Sequence, residues 1–285
     1  GVEMANIKTI SEIEVPQEWA VIYELDFSEA DSHDFTSAAS TVDLNGVTWS
    51  ASANDISEET KFQITNGTGL EIDALVSSTN NWYGNERSAP VISALVSDLV
   101  SGLGPEDTIA FQLYQTSATL ANNWQGNGMG IFDGSGTIAG DTGGANTTAS
   151  GFVCARNFYE GAVTIGAIRN TSQDKYATTQ GDFFEIIWYP TAGCYLAVGT
   201  MPAIFKDPGE VYTYQGYVTF SNRGFGSDSA GSPTYGMPDW DIHRPGNSGK
   251  QARIGIFATS QYQSSGGAAT TTTTATKFRV LRRTT

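Results

Sequence analysis

Glu71 and Asp73 stand two residues apart in a stretch that alternates apolar and polar side chains, Gly69-Leu-Glu-Ile-Asp-Ala-Leu75. In an extended strand that spacing points both carboxylates to one face. Paired carboxylates on one face are the raw material of general acid–base chemistry. A solvent-facing strand edge uses the same pattern without any chemistry, and the next positions, Leu75 and Val76, add no third carboxylate.

Asp26, Glu29, Asp31 and Asp34 form a second cluster, just beyond a strand-like run. Calcium takes six to eight oxygen ligands, and carboxylates gathered on a loop supply them. The spacing matches no EF-hand loop, so a solvated acidic loop is the competing reading. Asp239, Asp241 and Asn247 make a similar but smaller group. His33 and His243 show no ligand spacing with the cysteines, so both read as surface histidines rather than a zinc pair. The Gly-rich stretch 126–144 lacks the Lys-Ser/Thr of a phosphate loop and opens no helix. Sugar faces stack on Trp and Tyr while amides bond the hydroxyls. Three loop-like places combine these: Trp82 and Tyr83 after Asn80-Asn81, Trp124 after Asn122-Asn123, and Tyr235 to Trp240. The alternative for each indole is to cap an end of a core.

The elements that must hold these residues are nearly all strands. Trp19–Phe27 is β-branched and aromatic, and Asn45-Gly46 between alternating runs signals a hairpin. Phe62–Thr65, the turn Asn66-Gly67 and the strand from Gly69 continue the period of two. Pro90–Val96 reads as a strand running into a short helical turn. Further strands are expected near 108–114, 130–132, 150–154, 162–169, 182–189, 194–199 and 214–221. Residues 133–149 and 223–250 read as long loops. Ala252–Ala258 and Thr276–Arg282 alternate and are expected to pair as a hairpin. About a dozen short strands with turn signals between them specify an all-β sandwich or barrel. With no linker in view, the expectation is an arm or edge strand over 1–18 and a single domain over 19–285. The first and last strands are expected side by side.

Charge narrows the partners. The chain of 285 residues carries a formal charge of −15 with 16% charged residues, and its only basic grouping is Arg279, Arg282 and Arg283. Such a field repels phosphate, so nucleic acid is excluded as a partner. No stretch approaches a membrane span, and no apolar segment near the start reads as a secretion signal. Synthesis in the cytosol, without an obvious secretion signal, is therefore expected. Two cysteines, Cys154 and Cys194, are too few for a disulfide framework. Buried thiols are the expected state, with a single bridge as the alternative.

The strand ending Leu25-Asp26-Phe27, the turn-strand Asn66–Ile72 and the closing runs Arg253–Ala258 and Lys277–Arg282 resemble the concanavalin A-like jelly rolls. That group includes legume-type lectins, laminin-G-like modules and laminarinase-type glucanases. The resemblance implies a two-sheet antiparallel jelly-roll sandwich with long loops and little helix. Laminarinase-type glucanases place Glu-x-Asp-x-x-Glu on one strand. Here Glu71 and Asp73 match and the third carboxylate is missing, which implies no glucanase activity and, as an expectation, no enzyme. The Gly-, Ser- and Thr-rich style also resembles tailed-phage virion proteins. That implies a non-catalytic virion-surface protein, a head decoration, fibre or tail adhesin. Its partners would be other virion proteins, copies of itself in an oligomer, and glycans at the cell surface. The alternatives from other classes are a glycan-active hydrolase or lyase of the same group, and a free carbohydrate-binding lectin. No cofactor is expected beyond calcium.

Overall fold

In a computed structural model, the residues described are 18–35, 40–52, 61–76, 87–88, 90–117, 126–133, 152–158, 162–168, 181–190, 193–200, 205–210, 214–223, 234–237, 252–261 and 269–284. Among these, in chain order, the strands are β1 (Ala20–Asp26), β2 (His33–Asp34), β3 (Thr41–Leu44), β4 (Val47–Ser52), β5 (Phe62–Thr65) and β6 (Gly69–Val76). Then follow β7 (Arg87–Ser88), β8 (Val91–Leu95), the single-turn helix α1 (Val96–Leu99), β9 (Asp107–Ser117) and β10 (Gly126–Asp133). The remainder are β11 (Phe152–Phe158), β12 (Ala162–Ile168), β13 (Phe183–Tyr189), β14 (Gly193–Gly199) and β15 (Tyr214–Arg223). Last come β16 (Thr234–Met237), β17 (Ala252–Gln261) and β18 (Ala269–Thr284).

The strands form two sheets packed as an antiparallel jelly-roll sandwich. The larger sheet runs β16-β15-β14-β13-β9-β18-β6-β5-β2, with β1 paired to β18 beside β6. The smaller runs β12-β11-β10-β17-β8-β4-β3, with β7 on β17. One pair, β15 with β16 at the edge, is parallel. Alternation decides the layering. Leu70, Ile72 and Ala74 of β6, Phe111 and Leu113 of β9, Phe184 and Ile186 of β13, and Phe278 and Val280 of β18 face inward. They meet Met129, Ile131, Val153, Ile254 and Ile256 of the smaller sheet in one apolar cluster. Each fully buried Leu, Ile, Val, Phe or Met among them contributes roughly 1.5–3 kcal/mol.

Local signals explain most boundaries. Asn45 and Gly46 hold φ of 52° and 81°, the left-handed pair that turns β3 into β4. The strand at 91–95 does pass into one helical turn at 96–99. The first and last strands pair antiparallel, Ala20 opposite Arg282 and Asp26 opposite Lys277. Tyr23 on β1 anchors this pairing to the core. Trp49 Nε1 donates to the Tyr23 hydroxyl at 3.1 Å, and that hydroxyl donates to Leu44 O at 2.8 Å. Burial pushes the Tyr23 phenol up to about 12.

Two expectations need correcting. β17 and β18 do not form a hairpin, because they belong to opposite sheets. Both edges of β18 are already taken, by β9 on one side and by β6 and β1 on the other. β17 lies between β10 and β8. The expected loop over 223–250 contains β16, whose residues 234–237 pair with β15. Its other residues from 224 on, like residues 134–149, lie outside the described residues.

Between the sheets runs a polar seam that alternation alone did not announce. Asn157 Nδ2 donates to Asn127 Oδ1 at 3.0 Å and to Gly181 O at 2.7 Å. Its Oδ1 accepts from Gly181 N at 2.9 Å. Asn127 Nδ2 reaches Thr273 Oγ1 of the facing sheet at 3.3 Å, and Thr271 Oγ1 donates to Thr259 O at 2.8 Å. Asn127, Asn157 and Thr271 are fully buried, so these bonds replace the water the groups gave up on folding. Cys154 and Cys194 are both buried, Cys194 in the main core and Cys154 in a separate cluster with Val91, Phe132 and Phe257.

Candidate functional site on the outer face of the larger sheet

The side chains that point away from the core on the larger sheet build the site. Glu71 projects outward from β6 beside its neighbours on β5. Lys61 Nζ donates to its Oε1 at 3.0 Å, while Thr65 Oγ1 and Gln63 Nε2 donate to its Oε2 at 2.7 and 3.1 Å. The Thr65 bond, then those from Lys61 and Gln63, hold its carboxyl below the usual range despite some desolvation. Asp73 projects from the same strand and is 7% exposed.

Three strands over lies a different arrangement. Register sets Glu185 of β13 opposite Gln112 of β9, and Gln112 opposite Arg279 of β18. The three side chains form one row. Gln112 Nε2 donates to Glu185 Oε2 at 2.5 Å, and Arg279 Nε donates to Gln112 Oε1 at 2.6 Å. Glu185 and Gln112 are fully buried even though they face outward, because residues 205–210 lie over them. The carbonyl of Lys206 accepts from Gln112 Nε2 at 3.0 Å and from Arg279 Nη2 at 2.6 Å. The amide of Gly209 donates to Glu185 Oε1 at 2.9 Å. Arg279 places its guanidinium carbon 4.5 Å from the centroid of the Phe205 ring, and Phe205 meets Phe183 edge-on at 6.1 Å.

Burial dominates the electrostatics of this row. Desolvation raises the Glu185 carboxyl from 4.5 to about 7, against the pull of Gln112, Gly209 and Arg279. Burial likewise lowers Arg279, against Glu24, Asp207 and Glu185. One step along β9 on the same face, the Tyr114 hydroxyl donates to Asp182 Oδ2 at 3.0 Å. Burial first, and Asp182 second, raise its phenol. Farther along, Tyr195, Ile187, Ala110 and Leu281 form an apolar floor flanked by Trp19 and Tyr189. Arg283 sits 4.6 Å over the Trp19 ring.

The expected site residues fare differently. Glu71 and Asp73 do share the outer face. Asp26, Glu29, Asp31 and Asp34 are not brought together: among the described residues, no three His, Cys, Asp or Glu could hold one metal ion. Asp26 Oδ1 accepts from the Ser28 amide and hydroxyl at 2.9 and 2.5 Å, and its Oδ2 lies 3.9 Å from Lys277 Nζ. Glu29 and Asp31 are exposed on the turn, and Asp34 belongs to β2. His33 is half-buried, its Nε2 at 3.1 Å from Ser40 Oγ. Trp82, Tyr83, Trp124 and Trp240 lie outside the described residues, as do Asp239, Asp241, His243 and Asn247. Tyr235 has a described backbone only, on β16. Glu185 was missed, although it is the only charge in the otherwise apolar run Phe183–Tyr189. A lone carboxylate in a strand buried on both faces was the available signal.

No family model matches this chain, and no curated protein matches it. Among solved structures it is similar to an alginate lyase from a Chlorella virus, with TM-score 0.42, 10% identity, and 93% of this chain and 100% of that one covered. It is similar to a putative beta-glucanase from Mycobacterium abscessus, with TM-score 0.43, 11% identity, and 92% and 100% covered. LamAcat from Zobellia galactanivorans gives TM-score 0.41, 9% identity, and 93% and 97% covered. The expectation that the chain is no enzyme is corrected by these findings, since a lyase and a glucanase are among the proteins it is similar to. The physical reason is on the outer face. The missing carboxylate at 75–76 disables one arrangement on one strand, whereas an ionisable group near neutrality stands elsewhere, on β13.

Proposed function

We propose that this protein is a glycan-active lyase or hydrolase working on the outer face of its larger sheet, with Glu185 as the proton-transferring group. The observation that carries the reading is Glu185 itself, a buried carboxyl raised to about 7 in hydrogen-bond contact with Gln112. A general acid or base performs best when it titrates near the working pH.

The distance from Glu185 to Glu71 favours the lyase branch. Hydrolysis needs two carboxyls within about 5–9.5 Å across the scissile bond. Registers place Glu71 three strands and four residues from Glu185, about 19 Å at ordinary strand spacing and rise. Elimination needs one group to move a proton, and donors to steady the charge that grows on a neighbouring oxygen. Gln112 Nε2 and Arg279 Nη2 already converge on one carbonyl oxygen.

The test is a panel of uronate-containing polysaccharides and β-glucans, following both new reducing ends and the ultraviolet absorbance of a new double bond. The expected result is turnover that Glu185→Gln lowers at least a hundredfold. Reducing ends without a double bond would move the reading to the hydrolase branch. No turnover across the panel overturns it. A place on a virion and self-association are also proposed, from sequence style alone. Light scattering that shows a strict monomer overturns the self-association.

A further inference from the structure

The row Glu185–Gln112–Arg279 is complete as a binding surface, but part of the chain itself sits in it. Residues 205–210 are held there mainly through main-chain atoms: the Lys206 carbonyl on Gln112 and Arg279, and the Gly209 amide on Glu185. The segment pairs with no strand of either sheet. Its turn closes by Glu210 N donating to Asp207 O at 3.2 Å, and Gly209 holds φ +88°, open to substitution sterically but strained for any side chain. Lys206, Asp207 and Glu210 are exposed and Pro208 is half-buried, which leaves Phe205, packed with Phe183, as the chief apolar anchor. A segment with one apolar anchor and a few hydrogen bonds belongs to the low-stability end of a fold.

We propose that residues 205–210 are an autoinhibitory strap: the Lys206 carbonyl fills the place of a ligand oxygen on Gln112 and Arg279, and the Glu185 carboxyl latches the strap through the Gly209 amide. This rests on reading the face as a glycan site. The latch responds to pH in a defined sense. With the strap down, Glu185 is dry and holds its proton up to about 7. Lifting the strap wets the carboxyl and returns it toward its ordinary value until a bound ligand covers it again, so in the free protein proton uptake favours closure and ionisation favours opening. The groups around Glu185 are Gln112 from β9, Arg279 from β18, Glu210 and the Gly209 amide from the strap, and the uncharged Ala197 opposite on β14. Arg279 in turn faces Glu24 of β1 and Asp207 of the strap. A single proton limits the effect to about tenfold per pH unit between the two titration points.

The experiment is amide hydrogen exchange on the full chain at pH 5, 6, 7 and 8, corrected for the intrinsic pH dependence of exchange and read at Gly209 and across 205–210. The expected result is opening at least fivefold more frequent at pH 8 than at pH 6 in the parent, and no such change in Glu185→Gln. Gly209→Ala should raise strap exchange at every pH while leaving β13 and β9 protected. Equal protection at pH 6 and 8 in the parent, or the parent's pH response persisting in Glu185→Gln, overturns the latch. Exchange in Gly209→Ala no faster than in the parent overturns the strap as a separable unit. Exchange needs no substrate. A pH-responsive strap without polysaccharide turnover even in Gly209→Ala at pH 8, where the strap is open, therefore sinks the functional reading alone, and turnover over a static strap sinks this one alone.

Discussion

Glu71 and Glu185 occupy the same outer face of the same sheet, three strands apart, and their carboxyls are driven in opposite directions. Glu71 keeps contact with water and collects three donors, from Thr65, Lys61 and Gln63, so its charged form is favoured. Glu185 also accepts hydrogen bonds, from Gln112 and Gly209, but it is sealed beneath 205–210 and desolvation wins. Donor number is similar at the two sites. Access to water decides the sign, which is why a carboxylate pattern read along one strand was a poor guide to where proton chemistry could occur.

The most damaging way to break this comparison is Arg279→Ala. It removes the donor to Gln112 and Lys206 and the cation over Phe205, and it leaves Glu185 buried without its cationic neighbour. A loss of about 3 kcal/mol in urea unfolding is expected, in line with breaking other partly buried charge networks. Next is the pH dependence of stability. The folded state holds a proton on Glu185 between 4.5 and about 7 that the unfolded chain has released, so this group's contribution is fullest below 4.5 and is lost as pH rises through 7. The span corresponds to about 3 kcal/mol at most. Unfolding at pH 5 and 8 should show Glu185→Gln flattening that slope.

Glu71 should behave in the reverse sense. Its folded value is lowered, so its contribution is present above the ordinary carboxyl range and disappears as pH falls through the lowered value. Glu71→Gln should cost a few tenths of a kcal/mol at pH 7, after solvent screening, and progressively less as the solution is made acid. Smallest of all is Lys61→Ala. Lys61 is exposed, and its ion pair with Glu71 should be undetectable in melting at 0.5 M salt. A Glu71 effect equal to that of Glu185 would collapse the distinction between the two sites.

Much of the sandwich could be read from the chain before its structure. Strict alternation in Leu70–Ala74 and in Phe278–Val280 gave the inward faces, and Asn45-Gly46 specified a turn only left-handed residues can make. The pairing of terminal strands followed from long runs at both ends. Sheet membership did not follow, because β17 and β18 alternate equally well whether they pair edge to edge or face each other across the core. The site was less legible still. Glu185 stood out as one charge among apolar residues, but its importance depends on Arg279, 94 positions later, and on a short segment near 207 with no periodicity. The polar seam escaped for a related reason. Asn127 and Asn157 look like solvent-facing residues until the register turns them inward toward Thr273 and Gly181.

The central position of β18 also sets the order of events in folding. Its sixteen residues bridge β9 on one side and β6 and β1 on the other, joining segments more than 150 positions apart in the chain. Such distant pairings cost loop-closure entropy before they return any contact energy, and they slow folding. While residues 269–284 are still inside a ribosome, the larger sheet is split down its middle with two open edges. The nascent chain must therefore wait, exposed to wrong strand partners, until synthesis of β18 lets the sheet close.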